Sequence, residues 1–261
     1  MEGWDLDFTV VLGIDKHHLE QLRLVYPTWV EHKPSLVKHP FVVFCDWNIS
    51  YDEVLNVLSH SSNVRLVRWP PAGIIYMGDP LSKWENPQRY KMLSGFVHVP
   101  AAEVRTRYWL KIDTDTVASG IDDWVSQDWF RGNPAIISHP WGYTKPANQM
   151  LELDKWAEET RSSLFEYPPL NLVPNSPELL RHKRIISWVA FFNADFTIMC
   201  SQLATKNCGV GKLPVRSQDG YLFYCAKRMG REVKRVNMKS LGWKHCSSMS
   251  SIRKSVKESI K

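Results

Sequence analysis

Two aspartates one residue apart follow a mostly apolar run, Tyr108-Trp-Leu-Lys-Ile112, near the middle of the chain. Side chains on a strand alternate between its two faces, so Asp113 and Asp115 are predicted to point the same way while Thr114 points opposite. Carboxylate oxygens are the ligands that Mg2+ and Mn2+ prefer, and Mg2+ usually binds one or two protein carboxylates together with substrate phosphates. The spacing therefore predicts a divalent metal site that holds a nucleotide diphosphate.

The surroundings of this pair decide between a metal site and a solvated turn. Asp5-Leu6-Asp7 has the same spacing, but it precedes a strand and is interpreted as a solvated N-terminal segment. The run before Asp113 is instead typical of a buried strand, interrupted only by Lys111. Because open α/β sheets bind ligands at the carboxyl ends of their strands, this context favours the metal site.

The elements that must position the pair alternate along the chain. Strands are predicted at 7–14, 41–45, 64–69 and 108–112, with helical patterns at 17–30, after Ser50, and through Lys91, Phe96 and Val97. This order predicts a single α/β domain with a mostly parallel central sheet and helices on both faces. The second half is less regular, with strands predicted at 135–139 and 188–192 and helices near 148–161 and 196–204.

The net charge of +6 is concentrated near the C-terminus, where residues 227–261 hold eleven Lys or Arg and two Glu. A charge confined to one end argues against a general nucleic-acid-binding surface. Apolar residues recur there at steps of three and four, which predicts an amphipathic helix. It is either docked on the domain or frayed, or it contacts an anionic membrane or an acidic partner. The stripe is formed by Met249, Ile252, Val256 and Ile260.

Other features bound the location and the ligand class. No apolar stretch is long enough to span a membrane, the first residues are acidic, and the five cysteines are scattered. These features predict a soluble, cytoplasmic protein in a reducing compartment. The chain lacks a Gly-x-Gly-x-x-Gly run after its first strand and lacks Gly-Lys-Ser/Thr, which disfavours a dinucleotide site and a phosphate-binding loop.

Candidate donor-binding residues lie where the predicted strands end. The first strand ends in Gly13-Ile14-Asp15, where glycine would let a ligand approach the backbone closely. Asp46, just past the second strand, is predicted either to accept hydrogen bonds from a base or ribose or to be a helix cap or loop acid. Lys91 is predicted either to reach a phosphate or to be solvated.

The Asp113-Thr114-Asp115 motif and the three preceding β-α units resemble the GT-A glycosyltransferases, over roughly residues 7–246. The resemblance implies that the motif binds Mn2+ or Mg2+ on the diphosphate of a UDP- or GDP-sugar, with Asp113 touching the ribose and Thr114 in the donor site. It also implies a GT-A-like domain over residues 1–246, with a nucleotide-binding half at about 1–120 and an acceptor half at about 121–246. A basic amphipathic tail, 247–261, follows.

Three later segments add to the resemblance. Residues 136–141 and 188–195 resemble the strands that line the sugar and acceptor pocket. Ser217-Gln-Asp219-Gly-Tyr221 resembles an acidic motif at a helix start, which implies Asp219 as the catalytic base of an inverting enzyme, although Asp219 alone would also suit a helix cap. Gly242-Trp-Lys244-His245 resembles the late histidine that completes the metal site, with a lysine facing phosphate. The acceptor residues implied are Trp141, Trp188 and Asn193, and the rings of Trp141, Tyr143 and Trp188 would suit stacking on a sugar.

The implied reaction moves a sugar from a nucleotide diphosphate to a hydroxyl of a glycan, lipid or protein, and retention of configuration stays open beside inversion. One alternative is a haloacid-dehalogenase-type phosphatase, because Ile112-Asp-Thr-Asp-Thr-Val117 also fits its motif, with Asp113 as nucleophile and Asp115 as general acid. That motif normally follows the first strand, whereas three β-α units precede it here. The other alternative is a non-catalytic carbohydrate-binding module that uses the aromatic residues.

Overall fold

The computed structural model describes residues 7–72, 87–140, 147–161, 166–168, 170, 185–210, 213 and 217–260. Its strands are β1 (Phe8–Ile14), β2 (Phe41–Cys45), β3 (Val64–Arg68), β4 (Tyr108–Ile112), β5 (Thr116–Ala118), β6 (Ile136–Pro140), β7 (Ile185–Asn193), β8 (Val233–Arg235) and β9 (Trp243–His245). The helices within the described ranges are α1 (Lys16–His32), α2 (Tyr51–Val57), α3 (Pro87–Glu103), α4 (Ala147–Glu159), α5 (Ala194–Cys208), α6 (Gln218–Arg228) and α7 (Met249–Ser259).

Seven strands form the central sheet, in the order β3-β2-β1-β4-β7-β6-β8. The pairs β3–β2, β2–β1 and β1–β4 are parallel, and β8 is parallel to β6. Strand β7 runs antiparallel to both β4 and β6. The mostly parallel α/β architecture predicted from the sequence is therefore confirmed.

Hydrophobic cores lie on both faces of the sheet. Helices α1, α2 and α7 pack on one face, and α3, α4, α5 and α6 pack on the other. Every residue of β1, β2 and β4 is buried, as expected of central parallel strands covered on both sides. The carboxyl ends of these three strands share one edge of the sheet, and the candidate site lies at that edge.

A close packing contact gives a structural reason for glycine at position 13. The sequence-based interpretation was that the absence of a side chain there lets a ligand approach the backbone. A Cβ atom at Gly13 would lie 2.6 Å from Cζ of Phe44, and one at Gly95 would lie 2.5 Å from Cε2 of the same ring. The Phe44 ring therefore fills the space beside both glycines. In this fold the missing side chain at position 13 is required by the core.

The C-terminal helix α7 is docked on the domain. Ile252 is fully buried in the core shared with α1 and β1, and Met249 and Val256 pack against it. At the end of the helix, the Ser259 carbonyl lies 2.8 Å from His32 Nε2. The basic side chains of Arg253, Lys254 and Lys257 are exposed on the outer side of the helix.

None of the helices in the described ranges combines the length and the apolar character that crossing a membrane would require.

Candidate metal and donor site

A tight turn after β4 presents the aspartate pair. The backbone N–H of Asp113 donates to the carbonyl of Trp188 at 2.8 Å, and the N–H of Thr116 donates back to the carbonyl of Asp113 at 3.0 Å. The chain thus leaves the sheet at Asp113 and enters β5. Strand β5 pairs with β9 so that Thr116 is the partner of His245, and this pairing brings a residue from near the end of the chain to the aspartates.

Asp113, Asp115 and His245 form one cluster of potential ligands. His245 Nε2 lies 3.3 Å from Asp115 Oδ1 and 4.0 Å from Asp113 Oδ2, and one ligand atom from each residue lies within 4.8 Å of the others. Asp115 Oδ1 is buried and accepts no hydrogen bond from any described residue. Because two carboxylates and an imidazole suit a divalent cation such as Mn2+, these residues fit the metal that the sequence predicted.

The electrostatics of His245 reflect the two acidic neighbours. Burial lowers the pKa of His245, but the close contact with Asp115 and the charges of both aspartates outweigh burial and raise the pKa above its usual value. A metal ion must displace a proton from such a histidine, so cation binding and protonation compete at this position.

Lys111 is part of this site, although the sequence showed it only as an interruption of an apolar strand. Its side chain is 3% exposed and its ammonium contacts Asp113 Oδ1. The same ammonium donates to the carbonyl of Ser187 at 2.9 Å and lies 4.8 Å from the centre of the Phe96 ring. A signal was present, because residues 111 and 113 of an extended segment share a face.

Asp219 lies in the first turn of α6, and Ser217 is the cap of that helix, since its hydroxyl accepts the N–H of Gly220 at 3.1 Å. Asp219 is therefore free of the capping role that the sequence allowed. The hydroxyl of Ser187 donates to Asp219 Oδ1, and Gln218 Nε2 donates to that hydroxyl at 3.2 Å. Ser187 thus connects Asp219 with the Lys111–Asp113 pair, because its hydroxyl donates to Asp219 and its carbonyl accepts from Lys111.

Asp15 and Asp46 lie at the same edge as the aspartate pair. Asp15 caps α1 by accepting the N–H of His18 at 2.9 Å, and its carboxylate is 2.7 Å from His18 Nδ1. Burial would raise the pKa of Asp15, but these interactions with His18 hold it below the usual value. Asp46 accepts the N–H of Trp47 at 2.7 Å, and the cap of α2 is Ser50, so Asp46 is a loop acid beside an indole that is 53% exposed.

Three residues that were predicted to bind the nucleotide-sugar donor make other contacts within the protein. The Thr114 hydroxyl is buried and donates to Gln21 Oε1 on α1 at 2.7 Å. Lys244 precedes His245 on β9 and therefore points to the other face, where its ammonium lies 3.2 Å from Glu258 of α7. Ile14 is a buried core residue. Contacts of these three side chains with a donor stay predictions.

The two acceptor residues predicted on β7 lie far apart, Trp188 in the middle of the strand and Asn193 at its end. Trp188 lies at the site edge, 3% exposed, with its ring centre 6.1 Å from that of His245. It backs the histidine and presents no open face to a sugar. Asn193 pairs with Tyr108 at the start of β4, at the far edge of the sheet, where it caps α5 by accepting the N–H of Phe196 at 2.9 Å. An acceptor-pocket role for Asn193 does not agree with this register.

Trp141 and Tyr143 lie outside the described residues, and of Lys91 the structure describes only the backbone, within α3.

Comparison of the structure with known proteins identifies the fold. No protein-family model and no curated protein matches the sequence. Among solved structures, core-mannan synthase A (CmsA/Ktr4) of Aspergillus fumigatus in its Mn/GDP form has a TM-score of 0.53 at 12% identity, over 88% of this chain and 70% of that one. The mannosyltransferase Ktr4p of S. cerevisiae in complex with GDP has a TM-score of 0.51 at 10% identity, over 92% and 71%.

A third similar structure is a 4-diphosphocytidyl-2C-methyl-D-erythritol synthase of Anaerococcus prevotii, with a TM-score of 0.56 at 13% identity, over 98% of this chain and 100% of that one. At such identities the similarity establishes the fold alone. The chain has the nucleotide-diphospho-sugar transferase fold, and the resemblance to the GT-A group is confirmed at that level.

Proposed function

We propose that this chain is a divalent-metal-dependent glycosyltransferase, which moves a sugar from a UDP- or GDP-sugar to an acceptor hydroxyl. The observation that carries the proposal is the convergence of Asp113, Asp115 and His245 within 4.8 Å, at the carboxyl end of β4 in a nucleotide-diphospho-sugar transferase fold. These protein groups leave room in the coordination sphere of Mn2+ or Mg2+ for diphosphate oxygens.

In this proposal Asp115 and His245 hold the metal directly, and Asp113 contacts it through water or contacts the ribose. When bound, the metal neutralises the negative charge that develops on the leaving nucleoside diphosphate. Asp15 and Asp46, at the ends of β1 and β2, lie on the side where the nucleoside would extend across the sheet edge.

Asp219 is proposed as the base of an inverting reaction. Its carboxylate takes the proton of the acceptor hydroxyl while that oxygen bonds to the anomeric carbon and the bond from that carbon to the phosphate oxygen breaks. The hydrogen bond from Ser187 fixes one carboxylate oxygen of Asp219, and no described residue donates to the other. The acceptor is a glycan, a lipid or a protein, bound by the half that follows residue 120.

The two alternatives have less support. A dehalogenase-type phosphatase would carry its aspartate motif after the first strand, whereas β4 is the fourth strand along the chain. A carbohydrate-binding module would need exposed aromatic platforms, and Trp188, the one predicted platform that lies in the described part of the chain, is buried. Neither alternative accounts for a buried carboxylate oxygen of Asp115 aimed at His245.

The test is an assay of the protein with a panel of nucleotide sugars, with and without Mn2+, that measures donor binding and release of nucleoside diphosphate. We expect metal-dependent binding that is lost in Asp115→Ala. We expect Asp219→Asn to bind the donor normally and to transfer roughly 100-fold or more slowly, the usual contribution of a general base.

Asp128→Asn is the matched control, because Asp128 is an exposed carboxylate paired with Arg131 away from the cluster. Unchanged transfer by Asp219→Asn would reject the base assignment. Phosphate release from monoesters that depends on Asp113 would replace the transferase with a phosphatase, and pyrophosphate release from a nucleoside triphosphate would replace sugar transfer with nucleotidyl transfer.

A further inference from the structure

A buried lysine lies against the candidate metal site, where a cation-binding centre would be expected to hold only negative and neutral ligands. Lys111 is 3% exposed, and its ammonium contacts one carboxylate oxygen of Asp113. Lysine is almost never fully buried unless it is paired, because desolvating its charge is costly. Such a group is retained at a cost to stability, which points to a role in the site.

We propose that Lys111 is a positioning residue that occupies one oxygen of Asp113 and sets the charge of the site, so that a divalent cation binds tightly only together with a nucleotide diphosphate. This inference rests on the proposed function, because it assumes that the cluster of Asp113, Asp115 and His245 is the metal site.

The two carboxylates together carry two negative charges, and the neutral His245 that would bind a metal adds none. The Lys111 ammonium cancels one of these charges. A free divalent cation is therefore attracted by a site of smaller net charge and is also repelled by the ammonium. A diphosphate brings its own negative charge, which offsets the repulsion and restores strong attraction for the metal.

The second contact of Lys111 gives the residue its positioning role. Its ammonium donates to the carbonyl of Ser187 at 2.9 Å, and the hydroxyl of Ser187 donates to Asp219. One side chain thus fixes Asp113 relative to the start of β7, and β7 fixes Asp219. Groups behind metal ligands commonly orient them in this way, and their loss changes metal affinity.

The experiment is a Mn2+ titration followed by electron paramagnetic resonance, with the protein alone and then with UDP or with GDP. In the unaltered protein we expect weak binding of Mn2+ alone and at least about tenfold tighter binding with one of the two nucleotides, since coupling of this size is typical of linked sites. Lys111→Gln keeps a hydrogen-bond donor but removes the charge. It should bind Mn2+ alone roughly tenfold more tightly and show a smaller gain from the nucleotide.

Lys111→Arg keeps the charge and should bind Mn2+ alone as weakly as the unaltered protein. Lys155→Gln is the matched control, because Lys155 is 74% exposed on α4 and pairs only with Glu159 among the described residues. Circular dichroism and thermal melting establish that each variant is folded.

Unchanged or weaker Mn2+ binding by folded Lys111→Gln would overturn the inference. If that variant does not fold, the unaltered protein still decides, because equal Mn2+ affinity with and without nucleotide would overturn it as well. Failure of the proposed function has a different signature, in which Asp115→Ala binds Mn2+ in the presence of nucleotide as tightly as the unaltered protein.

Discussion

Asp113 and Asp115 have the same side chain but different neighbours, and we propose different roles for them. Asp113 is 32% exposed and gives one oxygen to Lys111, whereas Asp115 is 18% exposed and has His245 Nε2 at 3.3 Å. We therefore propose the less solvated carboxylate, Asp115, which has no lysine contact, as the direct ligand. Asp113 is better placed for a water-mediated or ribose contact.

The first prediction separates the two aspartates. Asp115→Asn should weaken Mn2+ binding in the presence of nucleotide by roughly 100-fold, and Asp113→Asn by about tenfold, the range found for residues that act behind a ligand. Electron paramagnetic resonance titration of both variants measures the effect. The reverse order of the two losses would contradict the assignment of Asp115 as the direct ligand.

At the residue scale, the sequence indicated which side chains could bind a cation, but not which other side chains would surround them. Asp113 and Asp115 were predicted from their spacing after a strand, His245 was predicted from the resemblance to the GT-A family, and the structure brings the three together. Lys111 and Ser187 were missed. A lysine in an apolar strand indicates nothing by itself, and its meaning depends on a carbonyl from a strand more than seventy residues away.

Among the elements, the pairing of β5 with β9 controls the site. The N–H of Ser119 donates to the carbonyl of Gly242 at 2.8 Å, just beyond the paired strands. Gly242 adopts a left-handed conformation, with φ of 84°. The buried ammonium of Lys33 donates to the carbonyl of Ile121 in the same region, so His245 is held by a tightly packed turn.

The second prediction concerns Gly242→Ala. The added Cβ would lie 2.0 Å from the carbonyl oxygen of Ser119 at a strained φ, so the two strands must move apart. We expect a loss of unfolding free energy of about 3 kcal/mol and weaker Mn2+ binding. Urea unfolding and metal titration measure the two effects.

Gly230→Ala is the control for Gly242→Ala. Its φ of 63° is also left-handed, but nothing lies within 4 Å of its added Cβ. It should cost about 1 kcal/mol from backbone strain alone and leave Mn2+ binding unchanged. Equal effects of the two substitutions would show that the turn does not position His245.

The third prediction is a pH dependence at His139, which joins β6 to the segment before β9 by accepting the N–H of Met238 at 3.2 Å. Burial, and then the charge of Lys239, hold the pKa of His139 below its usual value, although a backbone hydrogen bond at Val236 opposes them. The folded protein therefore binds this proton less readily than the unfolded chain, and unfolding free energy is lost as pH falls below about 6.5.

His139→Gln should reduce the dependence of the unfolding free energy on pH in this range, because glutamine can accept the same hydrogen bond and does not titrate. Urea unfolding from about pH 5 to about pH 7.5 compares the variant with the unaltered protein. An identical slope in the two proteins would exclude His139 as the source.

The order and parallel direction of the first four strands were predictable, and the direction of β7 was not. The alternation of apolar strands with helical periods predicted the first four strands, because each carries its own local pattern. The antiparallel course of β7 depends on which strand it pairs with, a long-range choice with no local signal. That reversal moved Asn193 to the far edge and placed Ser187, just before the predicted strand, beside Asp113.

For the whole molecule, the C-terminal helix is a structural part of the domain. Ile252 belongs to the core that also contains residues of α1, α2 and β1, and the N–H of Cys246 donates to the carbonyl of Asp115 at 3.0 Å. The predicted separation of residues 247–261 as a tail followed from their charge. The apolar stripe of these residues, which is also visible in the sequence, is a better predictor of the docked helix than their charge.

The fourth prediction uses this core contact. Ile252→Ala should lower the unfolding free energy by about 3 kcal/mol, the usual loss for a fully buried isoleucine. The adjacent Arg253→Ala should change it by less than about 0.5 kcal/mol, because Arg253 is exposed. Urea unfolding compares both variants, and similar losses would mean that α7 is only loosely attached.

Phe44 packs against both Gly13 and Gly95. The effect of a substitution at any one of these three positions should therefore depend on the residues at the other two. A methyl group added at either glycine collides with the fully buried ring of Phe44, so each change alone should be rejected in a library of variants. A smaller residue at position 44 would remove the obstacle. Positions 13, 44 and 95 should therefore show strong epistasis, and sequence change at one of them should be accessible only through change at another.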